Sequence, residues 1–145
     1  MTGDGMTGVS EQGQGGSGVV ERYLAAIVAH DWPAMADCVA GDVVRVGPYG
    51  DTYRGRTPYV DFIATLMPSL PGYQMEIDRV VYGSNGRFAA AELTETIVLD
   101  GRPHATAEAL LFDVDADGRI SRVAIYLRQS GPPPALAGAG PTQMA

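Results

Sequence analysis

The stretch "LLFDVDADGRISRVAIYLR", residues 110–128, decides the fold class. Its centre, residues 113–118, has the Asp-x-Asp-x-Asp-Gly spacing that opens a calcium-binding loop. Such a loop lies between two helices and ends on a bidentate glutamate at its twelfth position, where this chain has Ala124. The flanks instead alternate between apolar and other residues, and Asp-Gly between alternating runs is typical of a β-hairpin. We therefore predict a hairpin turn with solvated Asp113 and Asp115, and no calcium site.

Along the chain on either side of this hairpin, the spacing at which apolar residues recur, the apolar period, changes once. Before Tyr73 it is helical in three stretches: "VVERYLAAIVAH", "DWPAMADCVA", which Asp31 caps and Gly41 ends, and "TPYVDFIATLM". A short strand, "DVVRVG", and a loop, "PYGDTYRG", separate the last two helices. From Tyr73 onward the period is two, in "YQMEIDRVVY", "RFAAAELTETIVL", "HATAEALLFDV" and "RISRVAIYLR". Helices followed by antiparallel hairpins predict an α+β fold with the helices on one face of a curved sheet.

Composition limits the classes of protein that this chain can be. Its 145 residues fit one domain, which we place at residues 18–129 between disordered tails at residues 1–17 and 130–145. The net charge of −7, with no basic stripe, argues against nucleic-acid and membrane partners. No apolar run is long enough to cross a bilayer, so we expect a cytoplasmic protein. His30 and His104 are the only two histidines, and they lack metal-ligand spacing. We therefore predict no metal and no cofactor.

The order of elements supports a resemblance. The chain resembles the nuclear-transport-factor-2-like superfamily in two stretches: "VVERYLAAIVAHDWPAMADCVAGDVVRV" near the N-terminal end of the domain and "FDVDADGRISRVAIYL" near its C-terminal end. That group includes SnoaL-like polyketide cyclases, ketosteroid isomerases and limonene-epoxide hydrolases. The resemblance covers residues 18–129 and implies a cone-shaped barrel, in which a strongly bent, mainly antiparallel sheet packs on three N-terminal helices around an apolar pocket. It also implies a homodimer through the outer face of the sheet.

Carried over to single positions, the resemblance to ketosteroid isomerases is partial. Tyr23, in "RYLAAI", matches their oxyanion-binding tyrosine, and Glu108, in "AEALLF", matches their protonated carboxylic acid. Their general-base aspartate corresponds to Gly47 in "RVGPYG". The isomerase base is therefore missing.

The resemblance to epoxide hydrolases is weaker. Glu95, in "AELTET", matches their water-activating carboxylate, but Leu93 replaces their arginine and Ile125 their second aspartate. SnoaL-like cyclases also take an acid from the last strand, and "RVAIYLRQ" contains none. No known triad is intact.

Strand alternation gives an independent set of candidates, because residues two apart share a face of the sheet. The polar members of otherwise apolar rows are Glu95, Glu108 and Arg45. A slip of one residue would place all three on the wet face, which is the usual position of a charged strand residue. For Glu95 the wet face stays open, because its other face carries Thr94 and Thr96, which are no more apolar. For Glu108 the inward assignment is favoured, because it turns the apolar row Ala107, Ala109 and Leu111 outward, as a dimer through the sheet would need.

We therefore expect acid–base chemistry on a small hydrophobic or polycyclic metabolite, of the isomerase, cyclase or epoxide hydrolase type. Glu95 would act as base or water activator, Glu108 as acid, Tyr23 as oxyanion donor, and Arg45 as the charge that separates the two carboxyl pKa values. The competing prediction is a non-catalytic protein of the same fold that binds a hydrophobic ligand or serves as a dimeric module. The expected substrate-binding residues are Leu93, Ile97, Leu110, Phe112, Ile125, Tyr53 and Tyr59.

The same alternation predicts a homodimer. If Glu108 points inward, Ala107, Ala109 and Leu111 form an outer row, which Arg122, Ala124 and Tyr126 of the last strand extend. Small residues let two sheets approach closely, and a two-fold contact would remove this row from water on both copies.

Overall fold

The computed structural model describes residues 18–132 and residue 135. The first part of this region contains the helices, with two strands between the second and third of them, and the second part consists of four long strands, as the change of period predicts. The helices are α1 (Val19–Ala29), α2 (Trp32–Cys38) and α3 (Arg56–Leu66), and a 3-10 turn at Met67–Ser69 follows α3. Asp31 caps α2 as predicted, because its carboxylate accepts from the backbone N–H of Ala34.

Six strands form one mixed sheet. They are β1 (Val39–Val46), β2 (Thr52–Arg54), β3 (Gln74–Tyr82), β4 (Phe88–Leu99), β5 (Arg102–Val114) and β6 (Ile120–Leu127). Their spatial order is β2-β1-β6-β5-β4-β3, and every neighbouring pair is antiparallel except β1 with β6. The sheet curls around the helices but does not close, so the predicted α+β cone is confirmed as an open, curled sheet rather than a sealed barrel.

Two details around β1 differ from the prediction. The strand begins at Val39, so α2 ends before Gly41, which was expected to stop it. Gly41 and Asp42 instead form an exposed irregularity inside the strand, where its pairing with β6 shifts register. The stretch expected to be a loop contains β2, which pairs with β1 from Val44 to Val46.

The hairpin that decided the fold class joins β5 to β6, as predicted. Its turn contains Gly118 at a φ of 80°, a left-handed conformation that glycine adopts without a steric penalty. Asp115 lies at the turn, as predicted, and it is half-buried. Its carboxylate accepts from the backbone N–H groups of Asp117 and Arg119, so it shapes the turn. Asp113 is exposed, as expected.

The core lies between the helices and the concave face of the sheet. The largest fully buried side chains come from both layers: Tyr23, Tyr59, Phe112, Leu24, Met35, Leu93, Ile120, Val20, Val39, Val43 and Val123. No helix in the described part of the chain is long and apolar enough to cross a membrane. The tails predicted to be disordered lie outside the described residues, except for residues 130–132 and 135.

Candidate functional site

A partly enclosed chamber of about 100 Å³ lies between the helices and the concave face of the sheet. We call it the inner chamber. Its walls are largely apolar, and five tyrosine, arginine or glutamate positions interrupt them. The lining residues are Tyr23, Leu24, Ile27, Arg45, Tyr59, Ile63, Leu66, Met67, Leu70, Met75, Leu93, Glu95, Glu108, Leu110 and Ile125. A few polar groups converging in an apolar cavity are the usual form of a small-molecule site.

A second, more open cavity of about 220 Å³ adjoins the first, and we call it the outer vestibule. Pro48, Tyr49, His104 and Thr106 are among the residues that line it. The two cavities share four lining residues: Arg45, Glu95, Glu108 and Ile125. The charged residues of the site therefore stand at the boundary between a small apolar interior and a wider entrance.

Glu95 on β4 and Glu108 on β5 form the centre of this boundary. In the β4–β5 ladder Leu93 is paired with Glu108 and Glu95 with Thr106, so the two glutamates are diagonal neighbours on one face. Burial, followed by a hydrogen bond with Glu95 and the charge of Glu95, raises the pKa of Glu108 to about 9; the charge of Arg45 opposes this shift. Glu108 therefore keeps its proton at neutral pH and can donate it to a hydrogen bond.

Tyr73, just before β3, completes the carboxyl cluster. Its hydroxyl donates a hydrogen bond to Oε2 of Glu95. Burial, the charge of Glu95 and this hydrogen bond raise the pKa of Tyr73. The phenol therefore remains protonated, and Glu95 accepts its hydrogen bond beside Glu108.

Tyr23 from α1 and Tyr59 from α3 meet inside the chamber, where their hydroxyl groups are hydrogen-bonded to each other. Burial raises the pKa of both groups; that of Tyr59 reaches about 12, although the Tyr23 hydrogen bond and the Arg45 charge lower it. Two protonated hydroxyls carry two hydrogens, and their mutual bond uses one. The second hydrogen can serve a ligand oxygen or another acceptor.

Arg45 supplies the positive charge of the site from β1. The residue is only 7% exposed, and its guanidinium packs over the ring of Phe62 with 5.1 Å between Cζ and the ring centroid. Its Nη1 donates to Oδ2 of Asp51 at 2.8 Å, whereas its buried Nε has no partner among the described residues. The cation is thus held by a loop carboxylate beside the two glutamates.

The structure brings all four predicted catalytic residues to one cavity. Tyr23, Arg45, Glu95 and Glu108 line the inner chamber, so both glutamates face inward rather than toward water. Of the predicted substrate-binding residues, four also line it: Leu93, Leu110, Ile125 and Tyr59.

The other three predicted substrate-binding residues lie elsewhere. Ile97 lines the outer vestibule. Phe112 is fully buried and packs edge-on against Tyr23, with ring centroids 5.7 Å apart, so it supports the chamber from behind. Tyr53 stacks on Phe62 with centroids 4.2 Å apart, and it lines neither cavity.

Sequence reasoning missed Tyr73, Met75 and Asp51. The alternation of Tyr73, Met75 and Ile77 was a usable signal for the first two, because it places them on one face of β3. Asp51 gave no such signal, since it lies in the loop between β1 and β2. In the described part of the chain no group of three histidine, cysteine or carboxylate side chains is arranged to hold a metal ion.

Comparisons with known proteins agree with this architecture. The family model of the SnoaL-like domain matches residues 20–123. No curated protein matches the chain. Solved structures do: a protein of unknown function with a cystatin-like fold from Methylobium petroleophilum is 21% identical with a TM-score of 0.70, over 86% of this chain and 89% of that one.

Two further similar structures are an enzyme and a complex with a small molecule. An epoxide hydrolase of the limonene-epoxide-hydrolase-like type from M. tuberculosis is 23% identical with a TM-score of 0.64, over 76% of this chain and 80% of that one. A protein with a ketosteroid-isomerase-like fold from Catenulispora acidiphila, in complex with trimethylamine, is 20% identical with a TM-score of 0.65, over 75% and 84%. At these identities the likeness establishes the fold alone.

Proposed function

Because this chain belongs to the SnoaL-like domain family, we propose that it is an enzyme that moves protons on a small apolar metabolite with its own side chains. One observation carries the proposal: Glu95 and Glu108 stand as diagonal neighbours at the wall of a largely apolar chamber. A pair of carboxyl groups with unlike environments offers a base and an acid at the same pH. That pairing is what isomerisation, cyclisation and epoxide opening have in common.

In the proposed reaction Glu95 is the base. Its carboxylate takes a proton from a substrate carbon, or from a water molecule that then attacks. Glu108 is the acid: it donates its proton to the substrate oxygen on which the electron pair arrives. Glu95 then passes its proton to the product or to solvent, and Glu108 takes a proton back from the product hydroxyl or from solvent, so both groups regain their starting states.

Tyr23 is the proposed second donor to the developing oxygen anion. Because Tyr23 and Tyr59 share one of their two hydroxyl hydrogens, the remaining one is available without breaking their pairing. The phenol is fully buried, where a donor to a developing charge is worth more than in water. Arg45 adds a fixed positive charge to the same site.

Cavity size favours a small substrate over a polycyclic one. The inner chamber, at about 100 Å³, is smaller than the roughly 150 Å³ cavity that holds benzene. We propose that a short apolar arm enters the chamber, that the reacting oxygen stops at Glu95 and Glu108, and that the remaining part occupies the outer vestibule.

The second candidate is a non-catalytic protein that binds a hydrophobic ligand in the same cavity. Its support is the absence from the sequence of a complete triad: Gly47 stands at the isomerase base position and Leu93 at the hydrolase arginine. Both candidates predict ligand binding. Only the first predicts that a ligand proton exchanges.

Hydrogen–deuterium exchange separates the two candidates. Incubating the protein in D2O with cyclopentanone or 2-indanone, a one-ring and a two-ring ketone, should accelerate exchange at the carbon next to the carbonyl, as measured by proton NMR. Glu95→Gln should abolish the acceleration, and Glu108→Gln should slow it by roughly 10²-fold, the usual contribution of a positioned acid. The control Glu92→Gln alters a glutamate on the outer face of β4 and should leave the rate unchanged.

The binding candidate predicts a different pattern. Ketone binding would then be seen as chemical-shift changes at chamber residues, while exchange stays at the buffer rate in the wild-type protein and in all three variants. That result would refute the enzymatic proposal for carbon acids.

A further inference from the structure

The loop after β1 folds back on itself and returns a carboxylate to the site. The backbone N–H of Gly47 donates to the carbonyl of Asp51 at 2.7 Å, and that of Gly50 donates to the carbonyl of Gly47 at 3.1 Å. These two bonds hold Asp51 beside Gly47, and from there its carboxylate accepts from Nη1 of Arg45 at 2.8 Å. The ion pair therefore depends on the local fold of residues 47–51.

Gly47 leaves the space that this ion pair occupies. A Cβ atom at that position would lie 2.6 Å from Nη1 of Arg45 and still closer to the carboxylate of Asp51. Real Cβ atoms do not approach other atoms so closely. The φ of Gly47 lies outside the left-handed range, so what favours glycine here is the space taken by the ion pair and not the backbone conformation.

Arg45 stands between two sets of carboxylates. On the outer side it pairs with Asp51, whose side chain is 43% exposed. On the inner side its charge acts on Glu108, against the effect of Glu95. One guanidinium has a fixed set of donors and a single charge, so a strong partner on the outer side weakens its pull on the inner pair.

We propose that Asp51 is a positioning residue: it anchors Arg45 at the outer side of the site, so that Glu95 and Glu108 are left to share a proton with each other, and Gly47 provides the room for this anchor. The proposal depends on the proposed function only for its catalytic meaning. The electrostatic effect is a property of the protein without substrate.

Other polar groups face the same site and stay unchanged in the test. Tyr73 precedes β3, Tyr23 lies on α1 and Tyr59 on α3, and all three keep their protons. His104 on β5 and Tyr49 of the loop line the outer vestibule. None of them contacts Asp51 through a hydrogen bond of its side chain among those found in the described residues.

The first test replaces the charge of the anchor. Asp51→Asn keeps an acceptor for Arg45 but removes the negative charge, so the guanidinium should act more strongly on the inner pair. The carboxyl carbon of Glu108, followed by ¹³C NMR against pH, should then titrate about one pH unit lower than in the wild type, the size of effect that a neighbouring opposite charge has. Asp51→Glu, with a longer side chain of the same charge, should restore part of the difference.

The second test displaces the same ion pair without changing any charge. Gly47→Ala introduces the Cβ that the pair leaves no room for, so it should lower the Glu108 titration in the same direction as Asp51→Asn. The control is Gly41→Ala on β1, where a Cβ would meet nothing within 4 Å. A second control, Glu92→Gln, removes one carboxylate and breaks the 2.6 Å ion pair with Arg79 on the outer face. Neither control should move the Glu108 titration.

An unchanged Glu108 titration in Asp51→Asn would overturn the proposal, and so would an equal shift in Glu92→Gln. If Gly47→Ala does not fold, the comparison of Asp51→Asn with Glu92→Gln still decides, because both substitutions are at partly exposed side chains. A lowered titration without ketone exchange in the wild type would support the anchor and refute the catalytic proposal. Ketone exchange in the wild type with a pH profile that Asp51→Asn leaves unchanged would support the catalytic proposal and refute the anchor.

Discussion

Glu95 and Glu108 occupy diagonal positions on the concave face of the sheet, one on β4 and the other on β5, and both line the same chamber. Glu95 is paired across the ladder with Thr106, and Glu108 with Leu93. This spacing lets two flexible side chains meet without being forced face to face. Two carboxylates this close do not both ionise easily, so the pair retains a proton where single glutamates have lost theirs.

Folding stability should therefore fall as the pH rises across the neutral range. The folded pKa of Glu108 is about 9 and its ordinary value 4.5, so between these values the folded state holds a proton that the unfolded chain has released. Rising pH then favours unfolding, with a slope of up to about 1.4 kcal/mol per pH unit for one proton. Urea unfolding at a series of pH values measures this slope.

The substitution Glu108→Gln removes the titrating proton. It should therefore flatten the dependence of the free energy of unfolding on pH between about pH 5 and pH 9. Glu92→Gln, on the outer face of β4, serves as the matched control and should keep the wild-type slope. A wild-type slope that survives Glu108→Gln would show that another group holds the proton.

The hydroxyl of Tyr73 should matter for chemistry as well as for stability. Tyr73→Phe removes the donor to Glu95 and should destabilise the fold by about 1–2 kcal/mol, as expected for a hydrogen bond to a carboxylate. It should also slow ketone exchange, because the proposed base loses a fixed partner. Urea unfolding and the exchange rate are the two measurements.

Tyr82→Phe provides the comparison for that substitution. Tyr82 also donates to a glutamate, Glu21, at 2.5 Å, and it accepts from the backbone N–H of Val20, but it lines neither cavity. Its loss should cost a similar amount of stability with no effect on exchange. Equal effects of both substitutions on exchange would show that the role of Tyr73 is only structural.

The hairpin between β5 and β6 should respond to its aspartate and not to calcium. Asp115→Ala removes the acceptor for two backbone N–H groups and should cost about 1 kcal/mol in urea unfolding. Millimolar calcium should leave the melting temperature unchanged. A saturable rise would indicate that the folded state binds the ion, because a ligand of the folded state must stabilise it.

The convex face of the sheet supports the proposal of a homodimer. One apolar row crosses five strands in register, which we call the outer apolar row: Val81, Ala90, Leu111, Ala124 and Val46. Beside it, Ala109 lies between Glu92 and Tyr126, and Tyr126 is 56% exposed. A two-fold contact would cover this face on both copies, with Tyr126 as an aromatic anchor.

Light scattering tests that proposal. The wild-type protein should have twice the chain mass of 15.2 kDa at micromolar concentration, and Ala109→Arg should reduce it to the mass of one chain. Ala25→Arg, at an exposed position of α1, is the matched control and should remain dimeric. A wild-type protein that is already monomeric at this concentration would contradict the proposal.

The change of apolar period was enough to predict the helices, the four long strands and the inward rows. Glu95 and Glu108 followed from alternation, because a strand with one wet and one dry face has only two possible registers. The resemblance added Tyr23, which no local pattern distinguishes from a core tyrosine. These predictions concern positions within a single element, and the period of that element determines them.

What escaped prediction depends on contacts between elements. The three residues of β2 are too few to show alternation, and only pairing with β1 makes them a strand. Counting back from the β3–β4 turn would pair Glu76 with Glu95, whereas an irregularity between Ile77 and Arg79 pairs Met75 with it instead. Alternation places Tyr73 and Met75 on one face, but only the pairing with β4, including this irregularity, makes that face the inner one.

We propose that Glu95 and Glu108 hold one proton between them at the wall of the chamber. ¹³C NMR of the carboxyl carbons against pH tests it without substrate, with Glu95→Gln and Glu108→Gln to assign the signals. If the pair holds one proton, the Glu108 signal should titrate with an apparent pKa of about 9. A Glu108 signal that titrates near its ordinary value of 4.5 would contradict it, because the two carboxyl groups would then ionise independently in water.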